Sequence, residues 1–516
     1  MERFLNQHKD RIKGIISGFD RILFRGTLRS ISYSKGIQAW LGSQNILMKD
    51  FGSHATAISE QIKKHAQQYA ESNGRPYQYV YSPHASKEDI AREIIKKDKV
   101  SEGLICVLSC VEKCRSFKFV KISAEKNQCG LQSADRQCLH LYFYFLDKEF
   151  GLMHIRLQTW LPLSIQVCLN GWEWLAHRLQ HEGIPFEKSD NCFLDIGEMD
   201  KAQKLMNRLI DRDWLPFLQR MAEIANPWMS SSNHLNIQPY YWTVRECEYS
   251  TDVIFNNNSD LQAVYPSILD HAIRHFHTQD VLRFLQRKVN CNFHGEVKSS
   301  FKVRVEGTRI KHWVEENSIK MYDKQGSVLR VETTMNNPRR WRVWRRTTRK
   351  GKRCMAWIPM RKSIADIKRR AEVSLCANAR YLDALAVVGD PTPACKILDP
   401  LAKRLIQNER SYRPLHSVDP GDAALFSAIS RGEFLLHGFR NQDICKILYP
   451  GFDSSPDSKP KTCAKVSRQF ALLRAHKLIY KVSKTNLWRM TQRGKIAMAM
   501  VSKLRYSNLA DLNIAA

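Results

Sequence analysis

Residues 478–495, LIYKVSKTNLWRMTQRGK, alternate apolar and polar side chains on both sides of a polar tip, Ser483 to Asn486, and so predict two short strands closed by a hairpin. Thr491 is placed to cap a helix that follows. Upstream, Val466, Phe470, Leu472 and Leu473 recur at helical spacing, which predicts a helix over about 461–476. Its other face carries Lys461, Lys465, Arg468, Gln469 and Arg474. A shorter helix holds Ile444, Ile447 and Leu448 behind Asn441 as N-cap, and is stopped by Pro450, Gly451 and Pro456. Ala423, Leu425, Phe426 and Ile429 predict another, ahead of Gly438.

Three helices, a two-strand wing and a closing helix make the order of a winged helix-turn-helix. Its exposed third helix suits a duplex groove, and a polar wing suits phosphate. The segment, about a fifth of the chain, resembles the MarR-like winged-helix domains of bacterial regulators. That resemblance implies nucleic-acid contacts from Lys461, Lys465, Arg468, Gln469 and Arg474 on the helix, and from Lys481, Lys484 and Arg489 on the wing.

Charge agrees. The 516 residues include 81 Lys plus Arg against 51 Asp plus Glu, a formal +30, which suits a polyanionic partner. Between Arg339 and Arg370, fourteen residues are basic and only Asp366 is acidic. Trp341, Trp344 and Trp357 are interleaved there, which a purely solvated charge run does not need. We read this as a basic β-ribbon in which Arg339, Arg340, Arg342, Arg345, Arg346, Arg349, Lys350, Lys352 and Arg353 neutralise phosphates, while Trp341 and Trp344 pack beneath or stack on bases.

The remaining motifs are less specific. In GFDRILFRGTL, Asp20 stands on a predicted strand, as in RNase H-like nucleases, whose first-strand Asp joins other acids around two divalent metals; Asp147 is a candidate second acid. The hairpin SIKMYDK/VLRVETT places Lys320, Tyr322 and Lys324 opposite Arg330, Glu332 and Thr334. A tyrosine beside lysines and facing a carboxylate has the makings of a phosphotyrosyl nucleophile, with Lys lowering its pKa. This hairpin is similar to strand pairs of rolling-circle replication initiators, although those families' metal-binding histidines are missing from it. The alternative is a satisfied sheet face.

Fourteen scattered cysteines without a CxxC pair read as reduced thiols, and Cys106, Cys110 and Cys114 as small core residues rather than zinc ligands. No long apolar run or secretory leader is visible, so a cytoplasmic chain with no membrane partner is expected. No phosphate-binding Gly-rich loop or serine elbow occurs.

The expected fold is α+β and multidomain: an N-terminal α/β domain (1–230), a central antiparallel, β-rich basic domain with a following helix (231–395), a linker (396–418) and a winged helix (419–516). The expected function is nucleic-acid binding, DNA ahead of RNA, of a bacterial mobile-element or regulatory kind. The alternative is metal-dependent strand cleavage, by a transposase, recombinase or replication initiator, using Tyr322, Glu332, Asp20 or Asp147. No cofactor is expected for binding, and Mg²⁺ or Mn²⁺ for cleavage. Target sequence and oligomeric state are not legible.

Overall fold

The computed structural model describes residues 1–506 except 124–127, 230–236, 288–295, 305–306, 350, 387, 389–393, 408, 417–418, 432–433, 435–437, 451, 453–458 and 484. It divides into two compact units, Met1–His275 with Val281–Val388, and Phe276–Asp280 with Gly389–Ala516.

The first unit is mixed α/β. Its strands are β1 (Ile12–Thr27), β2 (Tyr77–Tyr79), β3 (Gly103–Ser123), β4 (Gln128–Asp147), β5 (Gly151–Gln158), β6 (Ile165–Asn170), β7 (Phe186–Ser189), β8 (Cys192–Ile196), β9 (Tyr241–Phe255), β10 (Val297–Arg304), β11 (Gly307–Val314), β12 (Asn317–Lys324), β13 (Val328–Met335), β14 (Arg342–Arg349) and β15 (Lys352–Pro359). Eleven form one sheet in the order β10-β11-β12-β13-β9-β1-β6-β5-β4-β3-β2. Every neighbouring pair is antiparallel except β2 and β3. The pairs β7–β8 and β14–β15 are separate hairpins.

The expected boundary at 230/231 therefore falls inside one sheet. β9, from the expected central domain, pairs along its length with β1 from the expected N-terminal one, and also with β13. Period-2 alternation reveals that a strand exists but not which strand it meets, because pairing is decided by contacts far apart in sequence.

β1 is the axis of this arrangement. It shifts register against β9 between Phe19 and Arg21, a bulge that sets Asp20 as the extra residue. One face of the sheet centre is closed by the helix Ile367–Leu385. Its Asn378 accepts from the Thr333 hydroxyl at 2.7 Å and donates to the Tyr249 carbonyl at 3.1 Å, which ties the helix to β13 and β9. Over the other face lies the helix Gly171–His181, which β6 enters directly. Asn170 caps it, accepting from the Trp172 and Glu173 amides at 2.8 and 3.0 Å.

In the second unit the helices Pro420–Ile429, Asn441–Leu448 and Lys459–Ala475 precede the pair β18 (Ile479–Lys481) and β19 (Trp488–Met490), and the helix Gln492–Tyr506 follows; a smaller pair, β16 (Leu405–Gln407) and β17 (Arg410–Tyr412), comes earlier in the chain. Leu425, Phe426, Ile444, Val466, Phe470, Leu473, Ile479, Met498 and Val501 share a core. Phe439 bonds through its backbone to Trp488, adding a bridge beside β19. Gly438 has φ +76°, and a Cβ on it would stand 2.7 Å from the Trp488 carbonyl, so this position requires glycine. Asn441 differs from expectation: Asp443 accepts from the Arg440 amide at the helix start, while Asn441 donates from its side chain to the Cys463 carbonyl at 3.0 Å, tying two helices together.

Close approach of helix and sheet sets one sensitive point in the first unit. A Cβ on Gly171 would lie 2.0 Å from the backbone carbonyl of Phe19, with no flexible group to yield. Gly171→Ala is expected to lower the urea-unfolding free energy by at least about 2 kcal/mol, in the overpacking range. A change within experimental error would show that the helix is not seated on β1.

Candidate carboxylate centre and basic ribbon

The face of the sheet under the helix Gly171–His181 is polar where a buried face is ordinarily apolar. β12 and β13 pair Lys320 with Glu332 and Tyr322 with Arg330; β13 and β9 pair Arg330 with Asp252, Glu332 with Ser250 and Thr334 with Glu248. The bulge on β1 turns Asp20 into the same group. Arg330 is fully buried and donates to both oxygens of Asp252 at 2.7 Å, to Asp20 Oδ2 at 3.0 Å and to the Asn191 carbonyl at 2.7 Å. The Asn191 side chain, from the turn of the β7–β8 hairpin, donates to Asp20 and accepts from Asn170 at 2.9 Å. The Trp172 ring lies 5.5 Å from the Arg330 guanidinium.

Toward solvent the group opens out. Lys320 Nζ is 2.7 Å from Glu332 and 3.8 Å from Glu248, and Arg21 reaches Glu246 at 2.5 Å and Glu248 at 3.3 Å. Asp20, Glu248 and Glu332 each offer a carboxylate oxygen, and these lie within 4.8 Å of one another.

Burial dominates the titration. It raises Asp20, Asp252 and Glu332 above the ordinary carboxylate range even though Arg330 or Lys320 works against it. Burial also opposes the charge of Arg330, but Asp252, Tyr322 and Asp20 outweigh it and hold the guanidinium firmly protonated.

Two expectations are corrected. Tyr322 is raised well above its ordinary value, by burial first and then by Glu332, and donates to Glu332 at 3.0 Å. Lys320 does not activate it, because the lysine is committed to Glu332. Asp147 lies outside the group. Its Oδ1 accepts from the Glu149 and Phe150 amides at 2.8 and 3.0 Å and so holds the β4–β5 turn. Asp20, Tyr322 and Glu332 are brought together, whereas Glu248 and Asp252 were not singled out from the sequence. Their signal was present in β9, VRECEYSTD, where acids alternate on one face of a strand.

A second polar group crosses β3, β4 and β5. Glu112 accepts from Tyr142 at 2.7 Å and Arg156 at 2.6 Å, and Lys87 stands 3.1 Å away. Burial opposes ionisation of Glu112, but these partners prevail and bring it down to about 2. Beside it, burial first and then Arg21 and Arg156 hold His154 neutral, with a pKa of about 4. Cys106, Cys110 and Cys114 are buried on β3.

The basic ribbon is the hairpin β14–β15. Its register pairs Trp344 with Trp357, Arg346 with Met355 and Thr348 with Arg353. Trp344 and Trp357 are 51% and 49% exposed, with ring centroids 5.7 Å apart. Arg342, Arg346, Lys352 and Arg353 are exposed around them, as are Arg339 and Arg340 just before the hairpin. Trp341 departs from expectation: it is buried, and its carbonyl accepts from the Met360 amide at 2.8 Å, so it anchors the base of the ribbon. Arg345 points to the opposite face and is held by Asp366 at 3.0 Å. Lys350 and Lys484 lie outside the described residues, as does the Arg349 side chain. In the second unit Lys461, Lys465, Arg468, Arg474 and Lys481 are exposed, while Gln469 and Arg489 are half-buried.

Compared with protein-family models, curated proteins and solved structures, the chain matches none. Among the described residues no helix is long and apolar enough to cross a membrane.

Arg330→Met leaves Asp20 and Asp252 buried without their partner and is expected to cost about 3–5 kcal/mol in urea unfolding, as for a broken buried pair. A loss under about 1 kcal/mol would show that the pair is not central to stability. His154 supplies a pH test. Its folded pKa of about 4 lies below its ordinary 6.5, so its contribution is complete above 6.5 and is lost as pH falls through 4. His154→Phe should flatten the decline of the urea midpoint between those limits, and an unchanged slope would assign the decline elsewhere.

Proposed function

We propose that this chain is a nucleic-acid-binding protein, with DNA its first candidate partner and RNA the second. One observation carries the reading: a cross-strand pair of half-exposed tryptophans on a ribbon whose same face presents Arg342, Arg346 and Arg353. Burying a Trp is strongly favourable, so two left side by side in solvent suit a flat apolar ligand. Bases stack on such rings while the arginines neutralise adjoining phosphates. The second unit supports the same partner. We read its succession of helices and a strand pair as a winged helix, with Lys461, Lys465, Arg468 and Arg474 on the exposed side of the third helix.

Fluorescence anisotropy with labelled single-stranded and duplex oligonucleotides tests this. Trp344→Ala and Trp357→Ala should each weaken single-strand binding by about 1–3 kcal/mol, the cost of one lost stacking platform. Arg342→Gln and Arg346→Gln should each reduce the slope of log affinity against log salt by about 0.7–0.9. Wild-type affinity in all four variants would refute the ribbon as the binding surface.

A second reading, cleavage of a bound strand with Mg²⁺ or Mn²⁺, is favoured by the meeting of Asp20, Glu248 and Glu332. Because the Tyr322 hydroxyl is tied to Glu332, this reading takes water rather than tyrosine as the nucleophile. End-labelled strands that stay intact with either ion would retire it.

A further inference from the structure

We infer that Asp20, Glu248 and Glu332 form a binding site for one divalent cation of the Mg²⁺ class, which Lys320 fills with its ammonium when no metal is bound.

The first support is geometric. Oxygens on opposite sides of a Mg²⁺ or Ca²⁺ ion stand about 4 to 5 Å apart, from bond lengths of about 2.0–2.6 Å. The three carboxylates already offer oxygens within 4.8 Å of one another, from three adjacent strands. Carboxylate oxygens are hard ligands of the kind that suit Mg²⁺, Mn²⁺ or Ca²⁺. β-Strands hold such ligands more rigidly than a loop does, and the bulge at Asp20 is what brings the first strand's acid into the set.

The second support is independent of the acids. Ser250 and Thr334 stand on the same sheet face, directly across from Glu332 and Glu248 respectively. Ser250 is 0% exposed and Thr334 5%. Among the described residues neither hydroxyl oxygen makes a hydrogen bond. An enclosed hydroxyl without a partner costs about 1–3 kcal/mol, so two flanking one carboxylate group point to a missing ligand, either the ion or its water.

The third support is charge. The ion-paired group contains Asp20, Glu246, Glu248, Asp252 and Glu332 against Arg21, Lys320 and Arg330, five negative charges and three positive. With Lys320 swung away the group holds five negative charges against two positive, an excess of three that a divalent ion would largely offset. Lys320 reaches both Glu332 and Glu248, so its ammonium stands where the ion would bind and must swing away for it. Lys311, its cross-strand neighbour on β11, adds to the repulsion that favours this release. Glu248 and Lys320 lie on the side of the group that opens to solvent, which provides the entry path.

The test uses the full chain and Mn²⁺ alone, followed by electron paramagnetic resonance, with no nucleic acid present; its failure would thus leave the binding reading of the ribbon untouched. Wild-type protein is expected to bind one Mn²⁺. Glu248→Gln, at a half-buried position, should weaken binding at least tenfold while circular dichroism stays native. Lys320→Met removes the competing ammonium and should tighten binding at least tenfold, an effect that a merely structural lysine would not produce. Absence of Mn²⁺ binding at millimolar concentration in both folded wild type and folded Lys320→Met would overturn the site. So would wild-type affinity in Glu248→Gln, because the ion would then lie elsewhere.

Discussion

The interaction on which the first unit depends is the buried guanidinium of Arg330. It joins β13 to β9 through Asp252, to β1 through Asp20 and to the β7–β8 hairpin through the Asn191 carbonyl. Taking such charges out of water is expensive, and the attraction between them offsets that cost only when geometry is good and the remaining donors are satisfied. Here the pair with Asp252 is bidentate. Removing either side would leave an uncompensated charge in the interior, so the register of three strands and the position of one hairpin are coupled to a single side chain.

That arrangement explains why the sheet can have two unlike faces. On one, Asn378 of the helix Ile367–Leu385 accepts from Thr333 and donates to the Tyr249 carbonyl, amid side chains that are mostly apolar. On the other, charged residues persist across β12, β13, β9 and β1 because each finds a partner on the next strand, and because Trp172 and the helix that carries it shield only part of them. The shielded end is closed by Arg330. The open end is acidic at Glu246 and Glu248 and basic at Arg21 and Lys320, with Asp20 and Glu332 beneath. Such a junction, where desolvated ligands remain within reach of solvent, is a place where a cation can be held.

The ribbon β14–β15 has the opposite character. Its anchoring groups, Trp341 and the Arg345–Asp366 pair, face inward, and this frees the alternate face for Trp344, Trp357 and their arginines. A two-residue period thus separates support from contact within one hairpin. Identical residue types take both roles, since one tryptophan anchors while two are displayed.

Local patterns were sufficient for much of this. Helical spacing of Val466, Phe470 and Leu473 placed a helix, alternation around Ser483 placed β18 and β19, and the Arg/Trp run placed a ribbon, because each depends on neighbours within a few positions. Asp20, Glu332 and Tyr322 were also legible, as polar residues inside apolar strands. What the sequence by itself determined was which segments form strands and helices, which residues carry charge, and that a basic surface exists. The tertiary structure alone decided that β9 joins β1 to β13, that Asp20, Glu248 and Glu332 meet, that Asp147 does not join them, and that the Tyr322 hydroxyl is tied to Glu332. The physical reason is that periodicity reports only a strand's own two faces. Pairing, register and burial arise from residues hundreds of positions apart, and these set both the neighbours of a carboxylate and the dielectric in which it titrates.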